Sequence, residues 1–198
     1  MSQDKKREAI IEAALKRFAH FGVAKTTMSE IGNDLAISKA SLYYYFPDKI
    51  NLYAAVINRI ADAGEDEYKR RNDASKDPLH RIHAFLENRT DFIIKYYNII
   101  EFLKTRTSVP DELKPVFTQI KERERKKIDE IFNDGKEAGF LEIDNVKRMA
   151  ELLYDSLDGL RQVELGKNGT IFPEKKQFQS VLRREKELAA IFLRGLTK

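Results

Sequence analysis

The sequence predicts an all-α protein of about nine helices, and three observations carry that prediction. Apolar residues recur at three- and four-residue spacing along nearly the whole chain, nothing alternates as a half-buried strand would, and breakers are scarce, with nine Gly and five Pro in 198 residues. An apolar share of 42%, including twelve Phe and eight Tyr, is enough to bury a core for one ordinary domain or two small ones. Cysteine is absent, which excludes disulfide frameworks, thiolate metal sites and thiol catalysis. The N-terminus MSQDKKREAI lacks the pattern of a secretory signal, and no run approaches the ~18 apolar residues of a membrane span, so a cytoplasmic chain with no membrane partner is expected. A net charge of +4 and a pI near 9.1 permit a polyanionic partner without requiring one.

The elements follow in order. Ile10, Ile11, Ala14, Leu15, Phe18 and Phe21 form one stripe of a first helix, which Gly22 ends. Thr27 caps a short second helix, and Glu30, three residues on, completes a capping box; Ile31 and Leu35 give it an apolar face. Ser38 caps a third helix running to about Phe46, where Pro47 stops it and Asp48 caps the next. That fourth helix reaches about Arg71 with Gly64 weakening its middle, and NDASKDP is the loop after it. An aromatic-rich segment from Leu79 to about Thr105 breaks near Tyr97-Asn98, and Pro110 and Pro115 mark a short helical piece or a kinked start. A long charged helix then runs to about Ala138 and closes at Gly139. Asp144 caps VKRMAELLYDSLDGLRQVEL, and Pro173 opens a last helix ending near Gly195.

Two short helices joined by a tight turn form a helix-turn-helix, in which the second helix enters the DNA major groove. Gly32 fits that reading because the crossing of the two helices leaves room for a small residue only. Successive helical residues point about 100° apart, so the tyrosines of SKASLYYYF fan out. Leu42 and Phe46 form the inward stripe, leaving Lys39, Ala40, Ser41, Tyr43, Tyr44 and Tyr45 around the rest, in a window from Leu35 to Pro47 with no acidic residue. A tyrosine offers its ring to a thymine methyl and its hydroxyl to a phosphate oxygen. The competing reading buries Tyr43 or Tyr45 in the core.

The run from Arg7 to Val56 resembles the DNA-binding segment of the TetR family of transcriptional regulators. The likeness rests on Ala13-Ala14, Phe18, Gly22, Thr26-Thr27, Ile31 followed by a small residue, Ser38, Leu42-Tyr43, Phe46, Lys49 and Leu52. LLYDSLDGL, Leu152 to Leu160, is similar to a penultimate helix of many members. The resemblance implies two domains, residues 1–47 for DNA binding and 48–198 for sensing and dimerisation. It also implies a dimeric repressor, not an enzyme and without a cofactor, that binds double-stranded operator DNA and is released by a small, apolar molecule. Carried over one at a time, Lys39, Ala40, Ser41, Tyr43 and Tyr44 face bases or adjoining phosphates, and Tyr45 stands where many members have a histidine. Lys49 matches a phosphate-contacting lysine, Thr27 caps the second helix, and Ser29 touches the DNA backbone. Two positions depart from the pattern: Ala36 occupies a turn position where glycine is usual, and Ala40 replaces a frequent glycine.

For the remainder, a dimer face is expected on the last two helices. It comprises Leu152, Leu153, Leu157 and Leu160 on one, with Val181, Leu182, Leu188, Ile191 and Phe192 on the other, unless these stripes fill the subunit's own core. Phe85, Phe92, Tyr96, Phe102, Phe117 and Tyr154 are candidates to line an apolar effector pocket, against the alternative of an ordinary packed core. His80, His83 and Glu87 fall at spacings compatible with a metal site, but no HExxH pattern supports one, and no nucleophile elbow or phosphate loop supports an enzyme. KERERKK, Lys121 to Lys127, is read as a solvated face because acids interleave it and Glu122 can pair with Lys126. A helical protein adapter and a metal-dependent helical enzyme are the alternatives to a DNA-binding regulator.

Overall fold

The computed structural model describes residues 3–71, 75–100, 102, 109–166 and 175–197. Among these residues there are nine α-helices and no strand: α1 (Gln3–Phe21), α2 (Met28–Asp34), α3 (Lys39–Tyr45), α4 (Lys49–Arg71), α5 (Pro78–Lys95), α6 (Tyr97–Ile100), α7 (Lys114–Glu137), α8 (Val146–Gly166) and α9 (Lys175–Arg194). Asp111–Leu113 form a single 3-10 turn ahead of α7, and Pro115 sits in the first turn of α7, where a missing N–H costs nothing. No helix among the described residues is long and apolar enough to cross a membrane.

The chain divides into two compact units, residues 1–63 with 96–118, and residues 64–95 with 119–198. This division differs from a boundary at residue 47, because the first half of α4 packs with the N-terminal helices. Tyr53 is fully buried, donates its hydroxyl to the Ile99 carbonyl at 3.0 Å, and meets Phe18 and Phe102 edge-on. Ile10, Ala14, Phe18, Ile31, Leu42, Leu52 and Val56 complete that core. Asn98 in α6 donates to the Ala19 carbonyl near the end of α1.

The second unit is built around Ile82, Phe85, Leu86, Ile128, Ile131, Phe132, Leu153, Leu157 and Ala189, contributed by α5, α7, α8 and α9. Gly64 has a specific place there. A Cβ on it would lie 3.3 Å from the Phe92 ring, and its carbonyl accepts from Asn88 Nδ2 at 3.0 Å, so the helix-weakening residue is where α5 approaches α4 closely. The unit also buries charge. Glu185 in α9 is wholly inaccessible and receives Arg89 Nη2 from α5 at 2.5 Å and Arg161 Nε from α8 at 3.2 Å.

Three details differ from the sequence reading. Phe21, the last residue of α1, is 53% exposed rather than buried on the apolar stripe, with Arg17 5.6 Å over its ring. The cap of α8 is Asn145, whose Oδ1 accepts from the Arg148 N–H at 3.0 Å, one residue beyond Asp144. KERERKK is mostly solvated, but Glu124 turns toward Arg89 and Lys127 toward Glu130 and the Tyr68 ring. The opening of the last helix at Pro173 and part of the NDASKDP loop lie outside the described residues.

Candidate nucleic-acid interface

The helix-turn-helix is assembled by short-range chemistry. Gly22 takes φ +81°, a region that residues with a Cβ rarely adopt, and its N–H returns to the Phe18 carbonyl to end α1. Thr26, almost fully buried, donates its hydroxyl back to the Gly22 carbonyl at 2.9 Å and braces the turn. The capping box is complete: Thr27 Oγ1 accepts from the Glu30 N–H, and Glu30 Oε2 accepts from the Thr27 N–H at 2.7 Å. These hydrogen bonds from Thr27, with Arg17 nearby, hold the Glu30 carboxyl below the ordinary range. Arg17 reaches from α1 to the far end of α2, placing Nε and Nη2 on the two Asp34 oxygens at 2.5 and 2.8 Å, and holds that carboxyl low in the same way.

The turn between α2 and α3 is tight enough to need both of its unusual residues. A Cβ on Gly32 would stand 3.3 Å from the Ile37 carbonyl, while the Ile37 N–H donates to the Gly32 carbonyl at 3.0 Å. Ala36 adopts φ +50°, the left-handed region that glycine occupies without strain, at a cost of about 1 kcal/mol. Ser38 then caps α3 by accepting the Ser41 N–H at 3.1 Å.

Around α3 the two faces separate cleanly. Leu42 and Phe46 are buried, and Arg7 of α1 lies 5.1 Å over the Phe46 ring. On the other side Tyr44 is 72% and Tyr43 40% exposed, Lys39 and Ala40 are exposed, and Ser41 is half-buried. Lys39 Nζ sits 5.7 Å above the Tyr43 ring. Tyr45 is half-buried, its ring edge-on to Tyr44 at 5.2 Å. Tyr44 also accepts a hydrogen bond from Gln3 Nε2, which sets the first turn of α1 beside α3. Ser29 and Thr27 are exposed at the start of α2. Arg17, Gln3 and Arg7 were not singled out from the sequence, since no spacing rule pairs residues 17 to 41 positions apart.

Lys49, the first residue of α4, is half-buried. Its Nζ donates to the backbone carbonyls of Val23 at 2.9 Å, Thr26 at 3.0 Å and Ala24 at 3.4 Å.

The residues expected for an effector pocket fall in both units. Phe85 and Tyr154 are buried in the core of the second, and Phe92 packs on Gly64 there. In the first unit Tyr96, Phe102 and Phe117 are half-buried, Phe102 against Tyr53. Among the described residues of the second unit, Tyr154 Oη, Arg89 Nε and Arg161 Nη2 are buried without a hydrogen-bond partner. Burial, with Glu124 and Asp158 adding to it, pushes the Tyr154 phenol well above its ordinary value.

The dimer face needs a correction. Leu153 and Leu157, with Val181, are buried within the subunit's own core, so their side chains have no surface to offer a partner. Phe192 stacks on Phe132, and Leu182 and Leu188 pack partly on the same core. The apolar side chains left outside are Leu152 and Val163 on α8, 51% and 62% exposed, and Ile191 on α9, 66% exposed; Leu160 is half-buried. Along the His80, His83 and Glu87 spacing, His83 Nε2 lies 3.2 Å from the Lys186 carbonyl and Glu87 pairs with Lys186, and no cluster of three or more metal-ligating side chains occurs among the described residues.

Comparison with known proteins places this geometry. Residues 10–56 match the family model described as bacterial regulatory proteins, tetR family. The regulator RutR of Escherichia coli K12 is 44% identical over 57 residues, which span 29% of this chain and 27% of RutR, so the match covers about a quarter of that relative. QacR of Staphylococcus aureus is 24% identical over 97% of this chain and 98% of its own. A crystal structure of a transcriptional regulator from Cytophaga hutchinsonii superposes with a TM-score of 0.83 at 31% identity, covering 98% of this chain and 99% of that one. A TetR regulator from Haloarcula marismortui, 18% identical with a TM-score of 0.70, shares the fold. With the helix-turn-helix matched locally and the whole chain matched in both sequence and shape, the protein belongs to the TetR family of bacterial transcriptional regulators.

Proposed function

We propose that the chain acts as a homodimeric repressor that binds palindromic operator DNA through α3 and leaves it when a small, mainly apolar effector binds. The observation that carries the DNA-binding reading is the exposed ridge of Tyr43 and Tyr44 beside Lys39, on a helix whose opposite side is buried. Ala40 and Ser41 complete the face toward the bases, and Tyr45, Thr27 and Ser29 flank it toward the phosphates. An uncharged aromatic ridge reads base edges and methyl groups without binding every sequence alike.

One such helix reads too few base pairs for useful specificity, so two copies act together, with recognition helices about 34–36 Å apart or a multiple of it. Leu152, Gly159 and Val163 follow helical spacing on the outer face of α8, and Ile191 offers the same on α9. These outward residues are the dimer face we propose. For the effector, the unpartnered Tyr154 hydroxyl in the buried core of the second unit, whose ring lies under Arg125, supplies a polar anchor. Release proceeds by population shift: the effector favours a state in which the start of α4 is displaced, and several kcal/mol of differential affinity are required.

Fluorescence anisotropy with a duplex from the DNA upstream of the protein's own coding sequence tests this reading. Salt-dependent binding is expected, with Tyr44→Ala altering which bases are preferred. Failure to bind that duplex or a scrambled one at low ionic strength overturns it.

A further inference from the structure

The first residue of α4 is a cation held by backbone carbonyls rather than by a carboxylate. A lysine ammonium has three N–H donors and no acceptor. At Lys49 all three have a carbonyl within reach, those of Val23, Thr26 and Ala24 at 2.9, 3.0 and 3.4 Å. These carbonyls lie in the turn just past the C-terminus of α1, where unpaired C=O groups concentrate partial negative charge and favour a cation. Reaching a phosphate would require giving up at least one of these bonds. The other feature that makes a helix start attractive to phosphate is also engaged, since Asp48 caps α4: its Oδ1 accepts the Asn51 N–H at 2.8 Å and its Oδ2 accepts Asn51 Nδ2 at 3.0 Å.

We infer that Lys49 is a positioning residue. It fastens the start of α4 to the α1–α2 turn and thereby sets the pose of α2 and α3, without touching the DNA. The same turn is braced from within by the Thr26 hydroxyl on Gly22, and it leads directly into the Thr27 cap of α2. The clamp makes the first turn of α4 and the helix-turn-helix one mechanical piece, so a displacement of α4 is transmitted to α3 rather than absorbed in the loop. α4 itself continues past residue 63 into the second unit, which gives the clamp its place in regulation. The inference rests on the DNA-binding reading above for its consequence, but its physical content is testable without DNA.

The experiment uses the full chain and two variants. Lys49→Gln removes the charge, while Lys49→Arg keeps it but replaces a compact ammonium with a planar fork that does not match three convergent carbonyls. Without DNA, both variants are expected to unfold about 4–8 °C below the wild type, with faster amide exchange over residues 24–28. On the duplex from upstream of its own coding sequence, measured well below unfolding, the preference over a scrambled duplex should fall at least about fivefold in both variants, as α3 loses its register with the base edges. The dependence of log K on log salt should keep its slope in Lys49→Gln. A phosphate contact gives the opposite pattern: unchanged DNA-free stability, a slope reduced by about 0.9 per lysine in Lys49→Gln, and rescue by Lys49→Arg. DNA-free stability within a degree of wild type in both variants, or that slope change, overturns the inference. If the wild type binds no duplex, it is the DNA-binding reading that fails, and the unfolding and exchange measurements still decide whether the clamp exists.

Discussion

Polar side chains do different work in the two units. In the α2–α3 segment they act at short range: Thr27 with Glu30 and Ser38 with Ser41, each three residues apart, satisfy helix ends that face solvent. Between α5 and α9 they act at long range and under cover, where Arg89 and Glu185 meet across 96 residues and Arg161 joins the same carboxylate from 24 residues away. The first kind specifies where a helix starts; the second holds separate helices in one arrangement. Loss of a cap is mild because water replaces it. Loss of one partner in the buried cluster leaves charge that water reaches poorly.

Glu185→Ala should therefore give the largest effect. Arg89 and Arg161, 10% and 19% exposed at their side chains, would lose the carboxylate they share. A cost of about 3–5 kcal/mol is expected, on the order of 10 °C in Tm by differential scanning calorimetry. A shift below about 1 kcal/mol would mean that the cluster is well enough solvated to behave like a surface pair, and the contrast between the units would disappear. Thr27→Ala, at the solvated end of the comparison, should cost about 1 kcal/mol in urea denaturation with an unchanged m-value.

The same contrast explains what could be read from the sequence. Thr27, Glu30, Ser38 and Asp48 were legible because a cap and its target lie within one turn, and Leu42 and Phe46 because i, i+4 spacing fixes a common face. The Arg17–Asp34 pair, the Lys49 clamp and the Glu185 cluster were not, since each joins segments whose proximity exists only after folding. Leu153 and Leu157 show a subtler limit. The apolar pattern of α8 was correct, yet a helix covered on one side and apolar on part of the other carries two stripes, and periodicity does not label which one meets the core. The exposed Leu152 and Val163 belong to the second stripe. Asn145 in place of Asp144 is the ordinary one-residue ambiguity of two adjacent capping residues.

Ala36 sharpens the local side of the comparison with a change of the opposite sign. Its φ of +50° costs about 1 kcal/mol that glycine would avoid, while glycine loses about 0.4–1 kcal/mol more backbone entropy on folding. Ala36→Gly should thus raise stability by about 0.5 kcal/mol at most, visible as a small increase in the urea midpoint and no loss of helix in circular dichroism. A clear destabilisation would show that the methyl group makes a packing contact worth more than the strain.

The smallest effect near neutral pH should come from Tyr154→Phe, although the hydroxyl is deeply buried. A partnered buried hydroxyl contributes about 1 kcal/mol, but Tyr154 Oη has no partner, so its removal relieves desolvation and forfeits no bond. The change expected is zero to slightly stabilising. Alkaline pH then separates the two proteins. The folded-state phenol is pushed above the ordinary 10.0, first by burial and then by Glu124 and Asp158, so the folded chain holds this proton more tightly than the unfolded chain does. Stability from this group is present in full below pH 10 and declines as pH rises from there toward the folded value, because the unfolded chain ionises first. Tyr154→Phe removes that component, and its stability between pH 10 and 11 should fall less steeply than that of the wild type in parallel urea titrations. Equal slopes would mean that the phenol ionises as readily inside the protein as outside, and would remove burial as a cause of any shift.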